Sequence, residues 1–214
     1  MKWATCAAIF VAQLFFTPAH AQAGAGLVTR FSGQAQIVNV NRTPLKVSPF
    51  MKINAGDRVE MQAGSSLKLV YFANGREEAW KDNATFEVGA EASHAIQGAP
   101  EVTSLPASAP RGRELARTQS FDTITRIGSV RMRYLPREGA QFETVAAAKR
   151  SYDAWRATAA NDDLLPDVYY FSVLDEFNLR DEMQYLAAEA VKRNPGSEVA
   201  KAMQVRAHAD RTGR

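Results

Sequence analysis

The chain has 214 residues, of which 46% are hydrophobic and 23% are charged. This ordinary globular composition argues against collagen, a coiled coil, a polytopic membrane protein and disorder over the whole length. Lysine and arginine number 26 against 23 aspartate and glutamate, a formal net charge of +3. That charge is too small to indicate a nucleic-acid-binding protein.

The first 21 residues have the pattern of a cleavable signal peptide. Lys2 precedes an apolar run at 4–16, and Ala19-His20-Ala21 fits the small-x-small cleavage rule. A membrane-spanning helix needs about 20 apolar residues, so this run is too short to remain as an anchor. We therefore expect cleavage before Gln22 and a periplasmic location, with secretion as the alternative. Cleavage removes Cys6, the one cysteine, so the exported chain is expected to form no disulfide.

Residues 26–89 have the pattern of an antiparallel β domain. Apolar and polar side chains alternate in short runs, and glycine-containing turns separate the runs. The clearest signal is Asn74-Gly75, a preferred pair for a two-residue type I′ turn. It predicts a hairpin between strands at 66–72 and 76–80. The domain is expected to be a sandwich or an open barrel.

Residues 90–137 are predicted to connect this domain to the next one. Their first part shows no sustained period and contains three prolines, as is typical of a linker or a strap that crosses the surface. A further strand is predicted at 127–135, where alternate residues are apolar. The segment is rich in proline, alanine and arginine.

From residue 138 the apolar period changes to 3.6, which predicts about four helices over 138–214. The first should end near Asn161, and Pro166 should lie in the first turn of the second. The third carries an apolar stripe over 183–191, and Asn194-Pro195 is predicted to cap the fourth. The fold class is therefore α+β, a β domain followed by a helical bundle.

Five features of the β region occur together and in a fixed order. They are Gly33 before a strand, the turn Ala55-Gly56-Asp57, the small-residue turn 64–66 before an apolar strand, Asn74-Gly75, and the strand 86–88. In this order they resemble the FecR domain, the periplasmic domain named after ferric-citrate sensor-regulators. The resemblance implies a β-rich periplasmic interaction module. Sensor-regulators also have a cytoplasmic anti-sigma segment and a membrane helix, and here a cleavable leader replaces both.

The helical region is similar to a tetratricopeptide-type helix pair. Asn178 lies at the predicted turn, Ala190 in the second helix and Pro195 after it. One pair is not an array, because a solenoid needs three or more repeats.

The acidic pairs 162–163, 175–176 and 181–182 are predicted to be solvated or to cap helices. Adjacent helical residues point about 100° apart, so two neighbours do not easily serve one acid/base site. The exported part contains only His94 and His208, without a metal-ligand spacing or a nucleophile motif nearby. We expect no catalytic residue, no metal site and no cofactor, and hence a protein that is not an enzyme.

Two groups of residues are candidates for binding. Trp80 and Tyr71 flank the predicted hairpin, and an exposed ring beside Arg76 could stack on a sugar or clasp a peptide; packing in the core is the alternative. Residues 111–137 hold seven arginines against two acids. Of these arginines, Arg126, Arg131 and Arg133 are the candidates for an anionic polymer or an acidic partner. The alternative is a solubilising linker or pairing with the acidic helical region.

The sequence thus predicts a non-enzymatic periplasmic FecR-domain protein, acting as a protein-interaction module or an envelope-associated regulatory scaffold. The alternative is a glycan-binding module that recognises peptidoglycan or a surface polysaccharide. An envelope protein is the expected partner, with an anionic envelope polymer as a further one. Neither a nucleic acid nor a transmembrane anchor after cleavage is expected.

Overall fold

The computed structural model describes residues 24–39, 43–118 and 138–209, with the backbone alone described over 138–143. The predicted leader and the strand predicted at 127–135 lie outside the described residues.

Two antiparallel five-stranded sheets form the N-terminal part. The strands are β1 Gly26–Ser32, β2 Ala35–Val38, β3 Pro44–Lys46, β4 Lys52–Ile53, β5 Arg58–Met61, β6 Ser66–Tyr71, β7 Arg76–Lys81, β8 Thr85–Val88, β9 Ser93–Gln97 and β10 Glu101–Ser104. The first sheet has the order β10-β7-β6-β1-β4, and the second has the order β3-β2-β5-β8-β9.

Helices follow the strands. They are α1 Gly112–Ala116, α2 Glu138–Arg156, α3 Leu165–Glu176, α4 Arg180–Arg193 and α5 Glu198–His208. The predicted α+β class, with β structure first and helices after it, is confirmed. Within the described ranges, every helix is too short or too polar to cross a bilayer.

The inner faces of the two sheets enclose one apolar core. Alternate residues of β6 point into it, Leu67, Leu69 and Tyr71, because side chains of a strand alternate between faces. From the facing strands, Trp80 and Phe86 stack with ring centroids 4.1 Å apart. The β domain is therefore a sandwich, and the alternation in the sequence predicted its inward-facing residues.

A second core lies on the outer face of the first sheet. Leu27 and Val70 are register partners on β1 and β6, and both belong to one buried cluster with residues of all five helices. Phe72, which follows β6, and Phe50 complete its β side. The first sheet is thus buried on both faces at β1 and β6, and the helices form a third layer over it.

Much of the segment predicted as a connector is part of this fold. It contributes β9 and β10, which extend one edge of each sheet, and α1, whose Leu115 is fully buried. The amide of Leu105 donates to Gly75 and that of Gly112 to Phe72, at 2.9 and 2.7 Å. Residues 93–118 thus pack as part of the fold, which favours the strap that crosses the surface over the plain linker, the two alternatives given above. Most side chains of the two strands are exposed, so burial imposes no alternation on their sequence.

The hairpin between β6 and β7 is confirmed, but its turn has four residues rather than two. The amide of Gly75 donates to the carbonyl of Tyr71 at 2.9 Å, and Gly75 has φ of +67°. Asn74 keeps a negative φ, and its side-chain oxygen accepts from the amide of Arg76 at 2.9 Å. A type I′ turn needs positive φ at both positions, so this part of the prediction is wrong.

The predicted helices are present with different ends. Helix α2 ends at Arg156, five residues before the expected Asn161. The Arg156 guanidinium binds the carbonyls of Ala159, Ala160 and Asp163, so it satisfies backbone groups beyond the helix end.

The cap of the last helix was predicted three residues too early. Helix α5 has Ser197 as its N-cap, whose hydroxyl accepts from the amide of Ala200 at 3.2 Å. Asn194 ends α4 instead, and its side chain donates to the carbonyl of Asn161 at 3.0 Å.

Candidate binding site

The three residues predicted to bind at the hairpin surround one buried carboxylate, Glu78. Arg76 Nε donates to Glu78 Oε1 at 2.7 Å, and Trp80 Nε1 donates to Oε2 at 3.2 Å. The amide of Ser93 also donates to Oε1, at 3.2 Å, while the Ser93 hydroxyl lies 2.7 Å from the hydroxyl of Tyr71. The sequence therefore brings the predicted residues together, but around an internal group.

Electrostatics keep this network in fixed protonation states. Burial by itself raises the pKa of Glu78, but hydrogen bonds from Ser93, Arg76 and Trp80 outweigh it, so the pKa lies below its usual value. Burial raises the pKa of Tyr71 to about 12. At neutral pH the site thus holds a carboxylate and a neutral phenol.

Trp80 and Tyr71 are fully buried between the sheets. The prediction that these rings stack on a sugar or a peptide is wrong, because no part of either ring reaches the surface. Arg76 is half-buried and engaged by Glu78. The three residues stabilise the sandwich, which is the alternative given above.

Two of the three described arginines of the arginine-rich segment, Arg111 and Arg117, are used within the fold, and Arg113 is exposed. Arg111 donates to four backbone carbonyls of residues 105–110. Arg117 pairs with Glu114 and Glu176 at 3.0 and 3.4 Å. Arg126, Arg131 and Arg133 lie outside the described residues, so their contact with an anionic polymer stays a prediction.

One predicted surface acid is buried. Asp175 lies inside the helical layer, where Arg206 of α5 donates to its Oδ2 at 3.3 Å; the prediction of a solvated or capping role is wrong for this residue. Asp162 is exposed, and its Oδ2 lies 2.9 Å from Arg30. Asp163 accepts from the amide of Leu165 at 3.0 Å, beside the start of α3, whose N-cap is Leu164.

Another buried acid, Asp167, was not singled out from the sequence. Its carboxylate accepts from the Tyr152 hydroxyl at 3.0 Å and from the guanidinium groups of Arg156 and Arg193. These partners come from α2 and α4, so Asp167 joins three helices. Charge-assisted hydrogen bonds of this kind are the strong ones, and they give the acid a structural role.

The two histidines considered above lie at the surface. His94 and His208 are both exposed, and the His208 ring lies 2.8 Å from the carbonyl of Gln204. Over the residues that the structure describes, no three His, Cys, Asp or Glu side chains are grouped so as to hold a metal ion.

A polar cleft of about 790 Å³ opens on the second sheet. It is lined by Phe31, Gly33, Gln34, Ala35, Gln36, Lys46, Glu60, Met61, Gln62, Asn83 and Thr85. We call this feature the polar cleft. Four of its lining side chains are primary amides, and its volume lies in the range of about 300–1,000 Å³ found for small-molecule sites.

A cross-strand row forms one wall of the polar cleft. Gln36 of β2 is opposite Lys46 on one side and Glu60 on the other, and Glu60 is opposite Thr85. Gln36 Nε2 donates to Glu60 Oε2 at 3.0 Å, and Arg58 Nε lies 3.0 Å from Glu60 Oε1. The row is thus polar across four strands.

The turn at Gly33 forms the opposite wall and is tightly held. Gly33 has φ of +91°, and a Cβ there would lie 2.8 Å from the Cα of Ser65, so glycine is required. The Ser65 hydroxyl accepts from the amide of Gln34 at 3.0 Å and donates to its carbonyl at 2.8 Å. The amide of Gln62 also donates to that carbonyl, at 3.0 Å.

A second cleft, of about 520 Å³, lies where the first sheet meets the helical layer. Four of its charged side chains pair with one another, Arg30 with Asp162 at 2.9 Å and Lys68 with Glu77 at 2.8 Å, and Glu198 pairs with Lys201 outside the cleft. Because these charges are already paired, the second cleft is a contact region between the two layers rather than a candidate binding site.

The open edge formed by β9 and β10 exposes two large apolar side chains. Ile96 is 55% exposed and Val102 is 45% exposed, and the short turn from β9 to β10 separates them. Since β9 ends the second sheet and β10 ends the first, each has one side without a neighbouring strand among the residues that the structure describes. We call this feature the open edge.

Comparisons with known proteins add no relative: neither a family model, a curated protein nor a solved structure matches the chain. The resemblance to the FecR domain therefore rests on the sequence features named above. Two candidate binding surfaces lie on the described part of the chain, the open edge and the polar cleft.

Proposed function

We propose that the chain is a non-enzymatic, envelope-associated interaction module with a FecR-like sandwich. The observation that carries the proposal is the open edge, where two strands end the two sheets and expose Ile96 and Val102. The signal-peptide pattern supports export, and the order of turns in the β region supports the FecR-like assignment.

Unpaired edge strands are liabilities that proteins usually guard with lysine, proline or a strong bulge. The four residues of β10, Glu101–Ser104, include neither lysine nor proline. Their one charged side chain, Glu101, lies 3.5 Å from Lys81 of β7. An edge left this open is suited to pairing with a further strand.

The occupant is an extended segment of a protein partner. Such a segment adds a strand beside β10, and the backbone hydrogen bonds supply affinity. An apolar side chain at alternate positions of the partner would cover Val102 and Ile96, which gives specificity. A non-catalytic role accords with Glu78, Asp167 and Asp175, because each of these buried acids is held by an arginine.

Site-specific photocrosslinking in cells tests this function. A photoreactive residue at position 102 should capture a defined protein, whereas one at Tyr185, which is 73% exposed on α4, should not. The captured partner is then purified and titrated. Binding should slow hydrogen exchange of the β10 amides.

Matched variants complete the experiment. Val102→Lys and Ile96→Lys should weaken partner binding by at least tenfold, because each places a charge in the paired edge. Val205→Lys changes an apolar residue that is 68% exposed on α5, and it should leave binding unchanged. Equal losses from Val102→Lys and Val205→Lys, or unchanged exchange at β10, would contradict the proposed function.

A further inference from the structure

We infer that the polar cleft is a binding site for a neutral saccharide. The inference is independent of the proposed function, since the polar cleft and the open edge share no residue. It keeps the predicted glycan recognition but moves it from the buried rings of Trp80 and Tyr71 to a different surface.

The first argument is the chemistry of the lining. A primary amide carries both donors and an acceptor, which match the hydroxyl groups of a sugar, each also donor and acceptor. The side chains of Gln34, Gln62 and Asn83 make no hydrogen bond with the described part of the chain. Three amides that face one concave space are therefore available to a polyhydroxylated ligand.

The second argument is charge. The lining holds one base, Lys46, and one acid, Glu60, so its formal charge is zero. Gln36 and Arg58 occupy both oxygens of Glu60. A polyanion would meet one lysine beside that carboxylate, and a polycation would meet one carboxylate that is already satisfied. A neutral ligand fits this balance best.

The third argument is an apolar wall. Phe31 is half-buried and packs against the sandwich core, and its exposed part gives the cleft an apolar side above the buried Met61. One face of a pyranose ring presents C–H groups, and these pack against an aromatic ring through dispersion and burial of apolar area. A ring beside several amides supplies contacts to both the apolar face and the hydroxyl rim of a sugar.

The fourth argument is rigidity. Ser65 holds the backbone of Gln34 through two hydrogen bonds, and Gly33 is packed against Ser65 so closely that no side chain fits. The position of this wall is fixed before a ligand arrives. Preorganisation of this kind reduces the entropy lost on binding.

Titration by NMR tests the inference on the protein purified after expression of the full chain. The probes are cellotetraose, maltotetraose and chitotetraose as neutral saccharides, and tetragalacturonate as an anionic one. At least one neutral probe should bind with a Kd of about 1 mM or lower. It should shift the side-chain amide signals of Gln34, Gln62 and Asn83 while leaving those of Gln184 on α4 in place.

Three variants assign the contacts. Gln62→Ala removes an exposed amide, and we expect a Kd about 3- to 10-fold higher, the value of one hydrogen bond. Phe31→Leu keeps an apolar side chain but loses the flat ring, and a similar loss is expected. Gln184→Ala, the matched control outside the polar cleft, should bind as the unaltered chain does.

Four results would overturn the inference. They are no amide shift with any neutral probe at about 10 mM, shifts confined to another surface, tighter binding of tetragalacturonate, and equal affinities of Gln62→Ala and Gln184→Ala. Thermal unfolding of Phe31→Leu shows whether its weaker sugar binding results from a destabilised fold. If it does, the affinity of Gln62→Ala alone tests the inference. Val102→Lys should bind sugar as the unaltered chain does, so that a failure of the proposed function is distinguishable from a failure of this inference.

Discussion

Replacing Glu78 with glutamine is the sharpest test of how the sandwich is stabilised. The Glu78 carboxylate is fully buried and accepts from Arg76, Trp80 and the amide of Ser93 at 2.7–3.2 Å. Each of these neighbours is a donor. A glutamine in the same place therefore turns its own NH₂ group toward a donor in either orientation of the amide.

The magnitude follows from the partners that remain. Removing one member of a buried ion pair costs about 3–5 kcal/mol, because the other charge stays without compensation. The Arg76 side chain is 34% exposed, so water replaces part of the lost interaction. We expect Glu78→Gln to lower the free energy of unfolding by about 3 kcal/mol at pH 7.

The effect should depend on pH with a definite sign. The pKa of Glu78 lies below its usual value in the folded protein. Its stabilisation is therefore fully present above the unfolded-state pKa of about 4.3 and is lost as the pH falls through the folded-state pKa. The difference between the unaltered chain and Glu78→Gln should be largest near neutral pH and shrink below about pH 4.

Urea unfolding at several pH values measures both quantities. The control is Glu87→Gln, which removes an exposed carboxylate on β8 and should change stability by less than about 0.5 kcal/mol. If Glu78→Gln is as stable as Glu87→Gln, or if its deficit stays constant down to pH 3, the buried carboxylate does not stabilise the sandwich as argued.

Further predictions concern export, the helical layer and alkaline pH. Mass spectrometry of protein from the periplasmic fraction should show an N-terminus at Gln22; a membrane-bound form that retains Met1 would contradict export. Asp167→Asn should lower the free energy of unfolding by about 3–5 kcal/mol because two arginines lose their partner, whereas Asp181→Asn, an exposed change, should cost less than about 1 kcal/mol. Burial raises the pKa of Tyr71 to about 12, so its stabilisation is complete below pH 10 and is lost as the pH rises toward 12. Between pH 9 and 11.5, urea unfolding should therefore show a smaller loss of stability for Tyr71→Phe than for the unaltered chain. Equal losses would refute this.

The alternation along β6 shows what the sequence could and could not predict. Leu67, Leu69 and Tyr71 share one face, and a strand that covers a core must have this pattern. Val70 and Phe72 lie on the other face, and the helical layer covers them. Whether this second apolar face is covered depends on packing between distant parts of the chain. The local pattern therefore could not show whether Phe72 is buried.

The edge strands β9 and β10 were missed for the opposite reason. A pattern of period 2 arises when one face of a strand is buried, and most side chains of β9 and β10 are exposed. Proline and glycine between the two strands then made the segment resemble a linker. Edge pairing relies on backbone hydrogen bonds, which leave little trace in side-chain type.

The candidate sites show the same limit. Glu78 and Trp80 are two residues apart on β7 and so share a face; this spacing was the one local sign that the acid points inward. The lining of the polar cleft has no comparable sign. Gln36, Glu60 and Thr85 match an ordinary solvated face, and concavity arises only where the turn at Gly33 meets them.

If the sandwich and the helical layer unfold together, they form one cooperative unit. If they unfold separately, they are separate modules. The change of period on either side of the predicted connector favours two modules, and we predict from it that residues 22–98 and 138–214 each hold their secondary structure alone. The core on the outer face of the first sheet argues for one unit, because Phe72 and Leu115 belong to the same buried cluster as Trp155.

Two tryptophans make the question measurable, since Trp80 lies in the sandwich core and Trp155 in the helical layer. In the chain without Trp3, which the predicted cleavage before Gln22 removes, Trp155→Phe leaves Trp80 to report on the sandwich, and Trp80→Phe leaves Trp155 to report on the helices. In each variant the fluorescence and helical circular-dichroism transitions in urea should coincide, as two-state unfolding requires. Adding Phe72→Ala to Trp80→Phe should lower the midpoint seen by Trp155 as well, because a buried phenylalanine costs about 3–5 kcal/mol when truncated. If Phe72→Ala leaves the Trp155 midpoint unchanged, the stability of the helices does not depend on the sheet they cover.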